Sequence, residues 1–241
     1  MKSGDQKKRA APALAAAHPD AVSDADSTTI GSGHAEPTPG RQVRIGVLAI
    51  QGDFEAHAAA LREAGADPIL VRKPEQLADI DGLIIPGGES TTFLKFLERD
   101  GFLSALQSFV SSKPTFGTCA GCILLAKEVT NPSQQSLAVL DATVERNAYG
   151  RQIDSAIEIS PTRLPGGPME LVYIRAPRIV KAGPGVEILA ERDGFPVLVE
   201  QGHILAATFH PELSADRRVH RRFVDLVREC ATIRPSDTAH S

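Results

Sequence analysis

Residues Val43–Ile50 read VRIGVLAI, an apolar run without the polar alternation of a half-exposed strand. A run of this kind belongs to a strand covered on both faces, which points to a parallel sheet with helices on either side. The segments that follow repeat the pattern. Glu55–Ala64 predicts a helix with Phe54, Ala58 and Leu61 on one face and Gly65 ending it. Ile69–Val71 and Leu83–Ile85 predict short strands. Helices are predicted at Thr91–Arg99, with Phe93, Phe96 and Leu97 inward, and at Phe102–Ser111. A strand at Thr115 and a helix after Cys119 complete a βαβα order, the mark of an α/β fold. The second half is β-rich, with strands predicted at 136–144, 153–159, 171–175, 186–190, 196–200 and 203–209. A closing helix, Asp216–Cys230, carries Val219, Phe223, Leu226, Val227 and Cys230 as one stripe. The expected architecture is α/β, with a mostly parallel central sheet flanked by helices on both faces.

The alternating region is only part of the 241 residues. Residues 1–42 contain an alanine stretch, Ala11–Ala17, followed by Ser, Asp, Gly, Pro and Thr. With almost no large apolar side chains they are expected to be a disordered extension, an address signal being the weaker alternative. The domain is expected over 43–230, and 231–241 should be a flexible tail. A net charge of −4 gives no pull toward nucleic acid or anionic membrane. No apolar run approaches the roughly 18–20 residues that span a bilayer. Three cysteines do not suggest a disulfide framework, so a cytoplasmic location is expected.

Reactive residue types occur at the predicted strand ends. Gly117-Thr118-Cys119-Ala120-Gly121 lies between a short strand and an apolar helix start. A Gly-x-nucleophile-x-Gly turn forces a sharp elbow that lifts the central side chain to the top of the sheet. The first N–H groups of the helix favour a thiolate there. Far downstream, Phe209-His210-Pro211-Glu212 supplies a base and a carboxylate. Nucleophile, base and orienting acid are the parts of a covalent acyl-transfer site. Pro86-Gly87-Gly88 can turn backbone N–H groups toward an oxyanion, and Ser90 can cap the helix that follows. Each motif alone has an ordinary structural explanation. Their joint placement at the carboxyl ends of strands in one sheet favours a site.

The strings GLIIPGGESTT, FGTCAGCILLA, ERNAYGRQIDS and TFHPEL together resemble the glutaminase-subunit family of pyridoxal 5′-phosphate synthase, class I (triad) glutamine amidotransferases with a flavodoxin-like fold. VRIGVLAIQGDFEAH and VYIRAPRIV are similar to the same family, and the resemblance spans roughly Val43 to Cys230. It implies Cys119 as nucleophile, His210 as base and Glu212 as the carboxylate orienting it. It also implies a glutamine pocket of Gly87, Gly88, Glu89, Arg146, Ile174 and Arg175, with an oxyanion hole from Gly88 and Ala120. A guanidinium suits the carboxylate of a free amino acid, and the sequence leaves open whether Arg146 or Arg175 meets it. The implied substrate is L-glutamine, and the implied partner is a separate ammonia-accepting synthase subunit in a hetero-oligomeric complex. No metal or cofactor is expected, since pyridoxal phosphate would be the product of the complex. Alternatives are the glutaminase subunit of another amidotransferase, or a cysteine peptidase-like amide hydrolase on the same fold. Cys122, where an aliphatic residue is expected, reads as a small buried hydrophobe. Ala156 stands where the family tends to carry an aromatic. Arg217, Arg218, Arg221 and Arg222 read as a solvated face of the last helix, a partner contact being the weaker alternative.

Overall fold

A computed structural model of the chain describes residues 42–98, 101–148 and 155–232. The extension expected over 1–42 lies outside the described residues except for its last residue. So do the tail beyond Thr232, the helix end at Arg99, and the Tyr149–Asp154 part of the ERNAYGRQIDS string.

The first apolar run forms β1 (Arg44–Leu48), followed by α1 (Phe54–Glu63) and β2 (Asp67–Val71). Next come β3 (Gly82–Ile85), α2 (Ser90–Leu97), α3 (Phe102–Val110), β4 (Thr115–Thr118) and the short α4 (Ala120–Leu125). The second half contains β5 (Ala126–Thr130), β6 (Leu140–Glu145), β7 (Ser155–Ser160), β8 (Met169–Ile174) and β9 (Arg178–Ala182). It closes with β10 (Glu187–Arg192), β11 (Phe195–Gln201), β12 (Ile204–Ala207) and α5 (Arg218–Thr232).

Seven strands make the main sheet in the order β10-β11-β12-β4-β3-β1-β2. The five from β12 to β2 run parallel, and β10 and β11 extend that sheet antiparallel. Successive side chains of a strand face opposite ways, so each central strand feeds two cores. Ile45, Val47, Ile84 and Phe116 face a core closed by α1 and α5. Leu48, Leu83 and Ile85 face another closed by α2, α3 and α4. Each side chain buried this fully contributes about 1.5–3 kcal/mol relative to exposure. The predicted stripe of α5 is confirmed at Val219, Phe223, Leu226 and Val227, while Cys230 is only half-buried.

The β-rich second half divides between β10, β11 and β12 of the main sheet and two smaller sheets, β5-β6-β9 and β7-β8. Strands β5 and β9 were not predicted. β5 begins where α4 ends with no Gly or Pro between them, and it exposes Lys127 and Glu128. β9 is a five-residue segment with only Ile179 buried. Three of the four arginines expected on a solvated face depart from that expectation, whereas Arg221 is exposed as expected. Arg217 is bound to Glu63 at 2.7 Å and Arg222 to Glu229 at 2.8 Å, while Arg218 reaches the carbonyls of Gly167 and Pro168. Arg217, Arg218 and Arg222 thus tie this end of the chain to its surroundings. Among the described residues, no helix is long and apolar enough to cross a membrane.

Candidate active site

Strands β12, β4 and β3 are parallel neighbours, and the exit of each carries one of the sequence-predicted motifs. Thr208-Phe209-His210 follows β12, Cys119 follows β4, and Pro86-Gly87-Gly88 follows β3. The sheet thus brings together groups separated by more than a hundred positions in the chain.

Cys119 has φ 49° and ψ −102°, a left-handed conformation that is rare for a residue with a side chain. Its N–H donates to the Ala207 carbonyl at 2.9 Å, pinning the elbow to β12. The flanking glycines are required by close approach. A Cβ at Gly121 would lie 2.0 Å from the Ile85 oxygen, and one at Gly117 would lie 2.6 Å from the Gly121 backbone. Ala120 opens α4, so its N–H is among the free donors of the helix start.

The His210 N–H donates to the Val172 carbonyl at 2.8 Å, and Nδ1 lies 2.7 Å from Glu212 Oε1. That leaves Nε2 for Cys119. Burial, the largest single influence, disfavours the imidazolium. Hydrogen bonds and charge interactions with Cys119 and Glu212 outweigh it and raise the His210 pKa to about 10. A histidine this basic can accept the proton of the neighbouring thiol. The Glu212 side chain is completely buried behind it. Cys122 is also fully buried, and burial together with Cys119 pushes its thiol up to about 12. It therefore stays protonated, as a small hydrophobe would require.

The glycine loop is held from the β1 side. Gln51 Nε2 donates to the Glu89 carbonyl at 2.7 Å, and a Cβ on Gly52 would come within 2.1 Å of the Gly87 oxygen. Gly52 also has φ +77°. We therefore expect Gly52→Ala to lower stability by about 1–3 kcal/mol, measured by denaturant unfolding. Unchanged stability would mean that the two loops do not need this approach. Gly87 leaves no room for a side chain either, since a Cβ there would meet His210 Cε1 at 2.5 Å. Gly88 has φ +137°, a conformation open essentially to glycine alone.

The helix cap differs from the sequence expectation. Glu89, not Ser90, caps α2: its carboxylate accepts from the N–H of Thr91 at 3.2 Å and of Thr92 at 2.8 Å. Bonds from the hydroxyls and N–H groups of these threonines hold the Glu89 pKa at about 2. Ser90 instead donates to Gln134 Oε1 at 2.9 Å.

A cavity of about 270 Å³ is lined by Gly87, Gly88, Glu89, Cys119, Arg146, Ile174, Arg175 and His210. This is close to the lower end of the roughly 300–1,000 Å³ usual for small-molecule sites. Of the candidate residues, Glu212 and Ala120 lie behind the wall. The Arg146 side chain is 13% exposed, with Nη2 3.7 Å from Glu89 Oε1, and Arg175 is exposed with φ 45°. A larger hollow of about 440 Å³ along Pro161–Arg163 and Ile188–Glu191 is lined by no cysteine or histidine. Asp53, His210 and Glu212 bring three potential ligand atoms within 4.8 Å of one another. A cation there would have to take over the hydrogen bond that His210 and Glu212 already make.

Sequence reasoning missed His57 on α1 and His220 on α5, both fully buried. Their helical spacing was the available signal, because each falls on the apolar stripe of its helix. His57 Nε2 lies 3.3 Å from Glu212 Oε2.

Residues 47–229 match the profile of the SNO glutamine amidotransferase family. The chain belongs to that family. Among curated members, the pyridoxal 5′-phosphate synthase subunit PdxT of Koribacter versatilis is 63% identical over 186 residues, covering 77% of this chain and 96% of that protein. The subunit of the same name from Thermotoga maritima is 50% identical over 188 residues, covering 77% of this chain and all of that protein. A crystal structure described as a glutamine amidotransferase superposes with a TM-score of 0.71 at 47% identity, covering 76% of this chain and 98% of the other. The family profile spans every described candidate residue of the site, from the Gly87–Glu89 loop to Glu212.

Proposed function

We propose that the protein hydrolyses L-glutamine to glutamate and ammonia, and that the ammonia passes to a separate synthase subunit making pyridoxal 5′-phosphate. The observation that carries the reading is the row Cys119–His210–Glu212 at the carboxyl ends of the central strands β4 and β12, in a chain 63% identical to a PdxT subunit. The Cys119 sulfur gives its proton to His210 and attacks the side-chain amide carbon of glutamine. The resulting oxyanion is met by the N–H groups of Gly88 and Ala120. As the C–N bond breaks, His210 returns the proton to the nitrogen and ammonia leaves a glutamyl thioester. Water, deprotonated by His210, attacks the thioester; glutamate departs and the thiol is restored. Arg146 and Arg175 supply cationic groups for the α-carboxylate, and Ile174 and Glu89 line the pocket. The basicity of His210 supports this sequence, because the same nitrogen must hold the proton between attack and departure.

The synthase partner has a physical role in this reading. Gly87 and Gly88 permit more than one peptide orientation, and Gln51 and Gly52 on the neighbouring loop contact them directly. A partner seated on the Gln51–Asp53 loop would therefore fix the oxyanion hole. The isolated chain should be a poor glutaminase, with activity rising as synthase subunit is added. Ammonia release from glutamine, measured across such a titration, tests both points. A rate that is already maximal without partner would remove the gating, and no release at any ratio would remove the glutaminase reading.

A further inference from the structure

His57, His220 and Thr118 form a buried polar group behind Glu212, with the Arg217 and Glu63 charges acting on the His220 side. All three are fully buried, and the Phe116 ring stands edge-on to both imidazoles, with centroids 6.4 Å and 6.2 Å away. His57 Nδ1 lies 3.0 Å from His220 Nε2. His57 Nε2 lies 3.2 Å from Thr118 Oγ1 and 3.3 Å from Glu212 Oε2. Glu212 Oε2 has no other partner among the described residues, and neither does His220 Nδ1. Burial is the main influence lowering the pKa of both rings. The neighbouring histidines add to it at His57, and Arg217 adds to it against the opposing Glu63 at His220, so each ring carries a single proton at neutral pH.

One proton per ring, with a hydrogen bond between His57 Nδ1 and His220 Nε2, leaves two arrangements. In the first, His57 carries its proton on Nδ1 and donates to His220 Nε2. His220 then has Nδ1–H buried without an acceptor, and the lone pair of His57 Nε2 faces a carboxylate oxygen. In the second, His220 Nε2–H donates to His57 Nδ1, and His57 Nε2–H points at Glu212 Oε2 and Thr118 Oγ1. The orphan at the far end is then a bare acceptor, which costs less than a buried donor without a partner, and the repulsion at Glu212 becomes a charge-assisted hydrogen bond. The second arrangement wins at both ends.

We propose that His57 is a positioning residue for glutamine hydrolysis: it holds the Glu212 carboxylate from behind through Nε2–H, and His220 sets the tautomer that allows it. The reactive row then runs Cys119, His210, Glu212, His57, His220. Glu212 bridges two imidazoles, one oxygen to each, and cannot rotate away from His210 without losing the second bond. The inference rests on the glutaminase reading, since Glu212 needs holding only if His210 needs orienting.

Nitrogen-15 NMR of the imidazoles in the intact chain reads the tautomers directly. The expected result is Nε2–H with bare Nδ1 on both His57 and His220, and Nδ1–H on either ring would overturn the proposal. Kinetics with the synthase partner supply the second arm. His57→Leu should lower kcat about tenfold or more, with KM for glutamine changed less than twofold. His57→Gln, whose amide nitrogen can occupy the Nε2 position, should recover most of that loss. His220→Leu should lower kcat less than His57→Leu, and His220→Gln should recover it. Equal rates for His57→Leu and the parent, or equal losses for the Leu and Gln variants in chains of matched melting temperature, would overturn the proposal. Either result, beside a parent that still depends on Cys119, would leave the glutaminase reading standing.

Discussion

Cys119→Ala is expected to reduce glutamine hydrolysis to background, a loss on the order of 10⁴-fold or more, while the chain folds as before. The two halves of this expectation have separate causes. In the proposed reaction the sulfur atom forms the bond to the amide carbon and is later released from it. The backbone strain at φ 49°, by contrast, is unchanged by alanine, which has the same Cβ. The elbow is held by the Cys119 N–H bond to Ala207 and by the tight contacts at Gly117 and Gly121, none of which involves the sulfur. Unfolding free energy should therefore change by no more than about 1 kcal/mol. Steady-state ammonia release and a denaturant melt on the same preparation check both halves. Substantial turnover in a folded variant would remove Cys119 from the chemistry.

His210→Asn should cost about 10²–10⁴-fold in kcat, the range associated with a lost general base. The imidazole both accepts the thiol proton and delivers it to the departing nitrogen, and asparagine can do neither. Glu212→Gln should be milder, because the glutamine oxygen can still accept from His210 Nδ1–H, although its amide nitrogen then faces His57 and the hold from behind is lost. What it removes is the charge that makes His210 basic, which helps lift its pKa to about 10. Glutaminase rates of the two variants beside the parent, with the synthase partner saturating, test the ranking. A Glu212→Gln variant as active as the parent would remove the carboxylate from the row.

The legible part of the fold was the part governed by short-range pattern. Apolar runs at Val43–Ile50, broken only by Arg44, and at Leu83–Ile85 announced strands covered on both faces, and the sheet confirms them as neighbouring β1 and β3. The elbow was legible because its geometry needs glycines at 117 and 121, and the structure gives a steric reason for each. Strands β5 and β9 were not legible: five residues carrying exposed charges look like loop until a neighbour supplies their hydrogen bonds. The Ser90 cap was misread because serine is the commoner cap, whereas the paired hydroxyls of Thr91 and Thr92 recruit the Glu89 carboxylate. The ion pairs of Arg217 and Arg222 depend on Glu63 and Glu200, which only the fold brings near. His57 and His220 were invisible as a pair for the same reason, since their contact spans 163 positions.

The most direct measurement of the central claim is the mass of the protein during turnover. Mixing it with L-glutamine and synthase partner, quenching in acid and digesting should reveal one glutamyl group, which fragmentation of the peptide containing Cys119 and Cys122 places on Cys119. The adduct should form and decay at rates that account for ammonia release, and it should be absent from Cys119→Ala. Ammonia released at full rate with no adduct kinetically competent to explain it, or with the glutamyl group on Cys122 or Cys230, would contradict the account.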